Sequence, residues 1–434
     1  MPPTLTVPNN NDAGKAVVVH RGARDAYQVA AALAEAGLLE RLVTDLYWPN
    51  PQAPGALPTA AKSMLLARHS TRVSSSLVQQ TLFSGAISQA LDMLPKVPFS
   101  WRRRATRWTD AVMGRQAGEL AARTNSLLLT YSYYAYHAFS ACPKPGMLFQ
   151  AHPHPASVSA ILRQELADHP ECAESLNKEW ELSLPATDFE RLAQETRMAG
   201  HTLAASSFTR RTLIENGTAP NSISVIPYGI DLRRFSPANA SQRSASSGKL
   251  RLLFVGIINQ RKGIKYLLEA LKLTSNKNIE LTVCGRVVDD LSIFKPFASQ
   301  VTVRPSVSFP ELVNAYRQSD LFVFPSVAEG FAQVLLESLA CGLPILSTTN
   351  TAAPDLIDDG IQGFVVEPRR PDLLAQRIQW AFDHPTQLNE MRAAARLRAE
   401  HFTWERFRAG IIEAVTRFQA SQVRIEEPER VNQY

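Results

Sequence analysis

Short apolar runs separated by amphipathic stretches dominate the chain. Ala16–Val19, Leu127–Tyr131 and Met147–Gln150 are apolar over strand length, and Thr202–Ala205 repeats the pattern before a segment opened by Ser206–Ser207. Such runs, bounded by turn residues, predict buried strands. Between them, Ala26–Ala36 reads as a helix stopped by Gly37, a residue suited to the left-handed turn that ends helices. The Pro-rich loop Pro49–Pro58 leads into a long helical region, and helical patterns also fill Ala156–Glu181 and Leu184–Ala199.

After the polar stretch Ser236–Gly248, SPANASQRSASSG, the alternation restarts. Strands are expected at Leu250–Val255, Ile279–Cys284, Leu321–Phe324, Pro344–Ser347 and Gly363–Val366. Helices are expected at Ile264–Leu273, Phe309–Gln318 and Ala332–Ala340. Leu388–Ala420 is helical in pattern, with Phe402, Trp404, Phe407, Ile411 and Val415 as an apolar stripe. Strands alternating with helices at this interval build parallel sheets covered on both faces. The expected class is α/β, with two Rossmann-like domains facing a central cleft. They span residues 1–235 and 249–400, joined by a linker at 236–248. A C-terminal helix and tail, 401–434, complete the chain, the helix crossing back to the first domain.

Length agrees with this division, since 434 residues exceed what one hydrophobic core usually organises. Hydrophobic content of 45% with 20% charged residues excludes disordered and fibrous classes. The net charge of +6 fits acidic partners such as nucleotide diphosphates or anionic head groups, and does not by itself argue for nucleic acid. Cys142, Cys172, Cys284 and Cys341 form no CxxC pair, so neither a disulfide framework nor a zinc site is expected, and a reducing compartment is. The first fourteen residues hold no basic segment followed by an apolar one. The charge-free stretches Val73–Leu91 and Thr124–Pro143 are broken by Ser, Gln, Tyr and His. The expected location is cytoplasmic, with any membrane contact peripheral at the inner face.

Chemistry concentrates in two segments. In Pro325–Pro344, PSVAEGFAQVLLESLACGLP, Glu329 stands in a strand-to-helix loop and Glu337 in the second turn of the helix. The free amides of that helix start suit an anion, and carboxylates suit sugar hydroxyls because they accept several charge-assisted hydrogen bonds. Taken alone, the two glutamates fit a capped surface helix. In Phe254–Ala270, FVGIINQRKGIKYLLEA, a loop carries Arg261, Lys262 and Gly263 between strand and helix. Adjacent cations there can neutralise a diphosphate, or form a solvated basic loop.

Together these segments resemble the retaining glycosyltransferases of family 4, which have the GT-B fold. The resemblance rests on the E-x7-E motif EGFAQVLLE, the following SLACGLPIL and the loop VGIINQRKGIKYLLEA. ASSFTRRTLIENG, VIPYGIDLRRF and TAAPDLIDDGIQGFVVEP extend it over both domains. It implies transfer from a nucleotide diphosphate sugar with retention at the anomeric carbon. It implies that Lys262 contacts the diphosphate, that Glu337 binds the ribose, and that Glu329 with Gly330 and the amides of Phe331 and Ala332 holds the sugar. It places His152 of FQAHPHP beside that sugar, with His154 as a neighbouring alternative.

Two departures stand out. Many members carry Arg after the loop glycine, where this chain has Ile257, so Arg261 is left to supply that charge. The N-terminal loop has Gly22 in HRGARD where a Gly-Gly pair is common on the acceptor side. No DxD pair and no GxGxxG fingerprint occur, so neither a metal, a cofactor nor a dinucleotide is expected beyond the nucleotide sugar co-substrate. Base selectivity is expected near Gly285–Arg286 and Arg304–Val307. The acceptor is a sugar, a lipid-linked molecule or another small molecule. An epimerase or phosphorylase on the same fold, and a non-catalytic sugar-nucleotide binder, remain as rivals. Phe99–Trp108, FSWRRRATRW, reads either as a membrane-interface stretch or as a solvated helix face with inward tryptophans.

Overall fold

The computed structural model describes residues 14–52, 59–81, 85, 91, 97–238, 248–288 and 291–426. The N-terminal leader reading, most of the 236–248 linker, parts of Pro49–Pro58 and Val73–Leu91, and the end of the tail lie outside the described residues.

Two parallel sheets form. The first contains β1 (Ala16–Val19), β2 (Leu39–Thr44), β3 (Val78–Gln80), β4 (Leu127–Tyr131), β5 (Met147–Gln150), β6 (His201–Ala204) and β7 (Ile223–Val225). Its spatial order is β3-β2-β1-β4-β5-β6-β7. The second contains β8 (Leu250–Val255), β9 (Ile279–Cys284), β10 (Val301–Arg304), β11 (Leu321–Phe324), β12 (Ile345–Thr348) and β13 (Gly363–Val366), ordered β10-β9-β8-β11-β12-β13. β1 and β5 are buried along their whole length, as their unbroken apolar sequences require between two helix layers. In each sheet the strand order reverses at one point, between β1 and β4 and between β8 and β11. Loops leaving the carboxyl ends of strands at such reversals are where open parallel sheets bind ligands.

The helix Trp404–Glu426 does cross back. It sends Phe407, Ile411, Val415 and Phe418 into the core of the first sheet. Burying each such side chain is worth about 1.5–3 kcal/mol. Arg408 fixes the docking, donating to the Gln28 side chain at 2.7 Å and pairing with Glu35 at 3.0 Å. Just before this helix the chain runs beside the other crossing between sheets. Ile230 bridges Thr403, and the Ile230 amide donates to the Phe402 carbonyl at 2.9 Å.

Several elements differ from the sequence pattern. The single helical stretch expected over Ala156–Glu181 is a helix at Pro155–Asp168 followed by short turns. Pro170 forces the break, because the residue before a proline is driven out of the helical region, and His169 sits at φ −132°, ψ 64°. Leu388–Ala420 is two helices, Pro385–Ala399 and Trp404–Glu426, divided where the chain passes between the sheets. β3, β7 and β10 are three or four residues long and half-buried, too brief for their alternation to stand out, and β2 is masked by Glu40 and Arg41, which interrupt its apolar positions. Phe99–Trp108 opens a helix, Phe99–Thr124, whose tryptophans do not turn inward: Trp101 is 69% exposed and Trp108 43%.

Candidate active site

Four of the residues singled out from sequence, His152, Arg261, Lys262 and Glu329, line one cavity of about 310 Å³ between the sheets. The loops after β1, β4, β5, β8 and β11 build it, so both strand-order reversals open onto the same space.

The basic loop is a single tight turn, Gln260–Lys262. The Asn259 side chain caps it by accepting from the Lys262 amide at 3.2 Å, and Gly263 closes it at φ 72°. A side chain at 263 would place its Cβ 2.0 Å from the Pro325 carbonyl oxygen. Glycine therefore serves both the turn and the close approach to the β11 loop. The Val327 amide and the Ser326 hydroxyl both donate to the Arg261 carbonyl, at 3.0 and 3.1 Å, lacing the two loops together. Lys262 and Glu329 meet in an ion pair, both largely buried. Burial and the Arg261 guanidinium push the Lys262 ammonium down, to about 7, against the pull of Glu179 and Glu181. Direct contact with the Glu329 carboxylate favours the charged form.

Arg261 is engaged differently from the sequence expectation. It donates to Glu179 at 2.7 Å and to Glu181 at 3.4 Å, and its Nε donates to the Ala328 carbonyl at 3.2 Å. Glu179 and Glu181 come from the β5–β6 connection, so this pairing ties the two halves of the cleft.

His152 is half-buried in the cleft wall, its ring 6.1 Å from that of Tyr133. Burial and the nearby Arg24, Arg261 and Lys262 push it down to about 3, so the imidazole is neutral at working pH. His154 lies elsewhere: it caps the helix Pro155–Asp168, its Nδ1 accepting from the Ala156 amide at 3.2 Å. Gly330 touches the opposite sheet, since a Cβ there would lie 1.9 Å from the Ala151 carbonyl oxygen. Its own carbonyl accepts from the Ser206 hydroxyl at 2.5 Å. Ala332 adopts φ 64° at the start of the helix Gln333–Ala340. Among the described residues, the amides of Phe331 and Ala332 donate to no backbone acceptor. Gly22, at φ 69°, donates to Asp45 at 2.8 Å and lies behind the cavity, into which Arg21 and Arg24 of its loop project.

Residues 237–398 match the family model for group 1 glycosyl transferases. The match covers the second of the two domains and not the first. A D-inositol 3-phosphate glycosyltransferase of Arthrobacter sp. (strain FB24) is 32% identical over 207 residues, 44% of this chain and 49% of that protein. The chain thus spans about half the length of such relatives. Among solved structures, sucrose-phosphate synthase from Thermosynechococcus elongatus superposes with a TM-score of 0.65 at 16% identity, covering 94% of this chain and 100% of that one. Anabaena HepE, crystallised with UDP and glucose, gives 0.56 at 14% identity, over 93% and 99% of the two chains. These structures share the fold, two Rossmann-like domains in the GT-B arrangement.

Within the glycosyltransferase domain, Glu337 lies off the cavity, in the second turn of its helix. It accepts from the Tyr316 hydroxyl at 2.9 Å. Burial pushes its carboxyl up, opposed by that hydrogen bond and by Arg234. Arg24, Asp110, Tyr133, Glu179 and Glu181 also line the cavity, and the sequence pattern singled out none of them. They come from separate loops and one helix face, joined only by the topology of the first sheet.

Proposed function

We propose that the chain transfers a sugar from a nucleotide diphosphate sugar to an acceptor hydroxyl, with retention and without a divalent ion. The observation that carries this reading is the convergence of Lys262, Glu329 and His152 on one cavity at the strand-order reversals of both sheets. The diphosphate leaves against Lys262 and the amides of Phe331 and Ala332, which stabilise charge as it develops. Glu329, freed from Lys262 by the incoming diphosphate, accepts from the sugar hydroxyls. Neutral His152 offers one hydrogen bond from the facing domain. Glu337 binds the ribose diol. The glycosidic C–O bond to the diphosphate breaks, a C–O bond to the acceptor forms on the same face, and the acceptor proton passes to the leaving diphosphate. UDP-sugars are the first donors to try, because the HepE structure holds UDP.

Incubation with UDP-, GDP- and ADP-sugars in EDTA should release nucleoside diphosphate from one of them. Activity lost in EDTA and restored by magnesium or manganese would overturn the metal-free site. Donor binding with no release from any sugar would favour a silent binding protein.

Peripheral membrane contact belongs to the same reading. No helix among the described residues is long and apolar enough to cross a membrane. The exposed Trp101 and Trp108 share a helix with Arg102, Arg103, Arg104 and Arg107. Binding to phosphatidylglycerol vesicles at low salt is expected. It should fall as salt rises, because exposed charges are screened beyond about 10 Å at 0.1 M. Vesicle sedimentation checks this, and equal binding to neutral vesicles would remove the arginines from the account.

A further inference from the structure

Beside the cleft lies a second cavity of about 280 Å³, between the helix Phe99–Thr124, the turn Trp180–Ser183 and the helix Ala186–Met198. It shares Asp110, Tyr133 and Trp180 with the first, so the two spaces communicate. Arg104, Arg107, Trp108 and Ala111 recur at helical spacing and present one face of their helix to it. Arg191 comes from the opposite wall, its guanidinium 5.5 Å from the centre of the Tyr136 ring.

Charge in this cavity is unbalanced. Asp188 serves both Arg107, at 2.9 Å, and Arg191, at 3.4 Å. Arg104 is exposed and makes no ion pair or hydrogen bond among the described residues. The other two acids, Asp110 and Glu195, are buried, and burial pushes each up to about 7, so neither is a full counter-charge at neutral pH.

The wall between the cavities is held under strain. Tyr133 adopts φ 84°, an outlier for a bulky residue. Buried Glu195 secures it, accepting from the Tyr133 amide at 3.0 Å and from the Ser132 hydroxyl at 2.9 Å. The Tyr133 ring consequently stands between His152, at 6.1 Å, and Trp180, at 5.7 Å. Asp110, facing both cavities, has a buried Oδ1 with no hydrogen-bond partner among the described residues. Arg21 approaches that oxygen only to 3.8 Å.

We propose that this second cavity seats the acceptor, and that the acceptor is a sugar or polyol bearing a phosphate. The inference rests on the glycosyltransferase reading above. Trp108, Tyr136 and Trp180 offer ring faces to a carbohydrate or polyol. Guanidinium groups bind phosphate through paired hydrogen bonds, and three of them meet here around Asp188. The Asp110 oxygen, which makes no hydrogen bond among the described residues, lies where the two cavities join and accepts from the hydroxyl that enters the cleft. A free phosphate ester and the head group of an anionic lipid both supply this chemistry.

The test follows tryptophan fluorescence, since Trp108 and Trp180 line the cavity. Glucose 6-phosphate and inositol 1-phosphate are titrated in parallel with glucose, inositol and inorganic phosphate. At least one ester should bind, with the parent alcohols and inorganic phosphate much weaker. Arg104→Gln and Arg191→Gln should each weaken the ester about tenfold, as for a lost hydrogen bond to a charged group. Arg104 has no structural partner to lose, so its variant reports binding rather than folding. Phosphatidylglycerol vesicles that displace the ester in the parent, and fail to in both variants, identify a lipid head group as the source; vesicles without effect identify a free ester. No binding by either ester or the vesicles overturns the proposal, as does binding of the neutral alcohols or inorganic phosphate equal to that of the esters. UDP, GDP and ADP are titrated in the same preparations. A nucleotide that binds while every ester fails leaves the transferase reading standing and removes only this one.

Discussion

Lys262→Ala should lower turnover by about 10²–10³-fold, the usual cost of removing a stabiliser of developing charge. The fold should persist, because Lys262 projects into the cleft from a turn whose hydrogen bonds are made by the backbone and Asn259. Two companion variants separate this effect from general damage. With Glu337 on the ribose, as proposed, Glu337→Ala removes an interaction present in ground and transition states alike. Its cost of about 1.5–3 kcal/mol should appear as a raised donor KM with kcat little changed. Glu329→Gln should depress kcat and also expose the buried lysine. In the parent, burial and Arg261 already push the Lys262 ammonium down to about 7, and loss of the Glu329 carboxylate removes a contact that favours the charged form. Its charge is therefore lost at a lower pH in the variant than in the parent. Nucleoside diphosphate affinity should fall between about pH 5 and pH 9 in both, with the fall displaced to lower pH in Glu329→Gln. Calorimetric titration across that range checks the sign. Parent-like turnover in all three variants would remove the site.

Gly330→Ala should be nearly as damaging, for a steric reason. The added methyl would lie 1.9 Å from the Ala151 carbonyl oxygen and 2.9 Å from the His152 Cα, and both neighbours are backbone. One loop must move by more than an ångström, and it carries either His152 or Glu329. Displacements of that size in a catalytic site cost about 10²-fold in rate, and overpacking costs about 1–3 kcal/mol in stability. Nucleoside diphosphate binding should survive, since Lys262 and Glu337 both belong to the second domain. A variant with parental kcat would show that the two loops need not meet for chemistry.

The second domain was more legible in the sequence than the first. Ile279–Cys284, which alternates apolar and polar residues, and Leu321–Phe324, a continuous apolar run, were bounded correctly because both patterns are those of a strand and leave little choice. Lys262, Glu329 and Glu337 were visible because each sits at a fixed offset from a strand end or helix start. Arg24, Tyr133, Glu179 and Glu181 were invisible for the opposite reason. Their meeting depends on the order of strands in the first sheet, which no local pattern encodes. The engagement of Arg261 was missed on the same ground: its partners are about eighty residues away in sequence. His152 is preferred to His154 in FQAHPHP through the family resemblance alone, and the helix start at Pro155 is what separates a cleft residue from a cap.

The paired passages between the sheets have a mechanical consequence. A single linking strand would act as a tether, leaving the halves free to twist and slide. Here Ile230 and Thr403 lie side by side, and a Cβ on Gly229 would fall 2.3 Å from the Trp404 amide nitrogen, so the two strands press together over their backbones. Two bonded strands resist shear along their length and torsion between them, and bend most easily about the line across both. Opening of the cleft is thereby reduced to one degree of freedom, a swing like that of a door on two hinges. That one axis keeps the Ala151–His152 loop in register with Gly330.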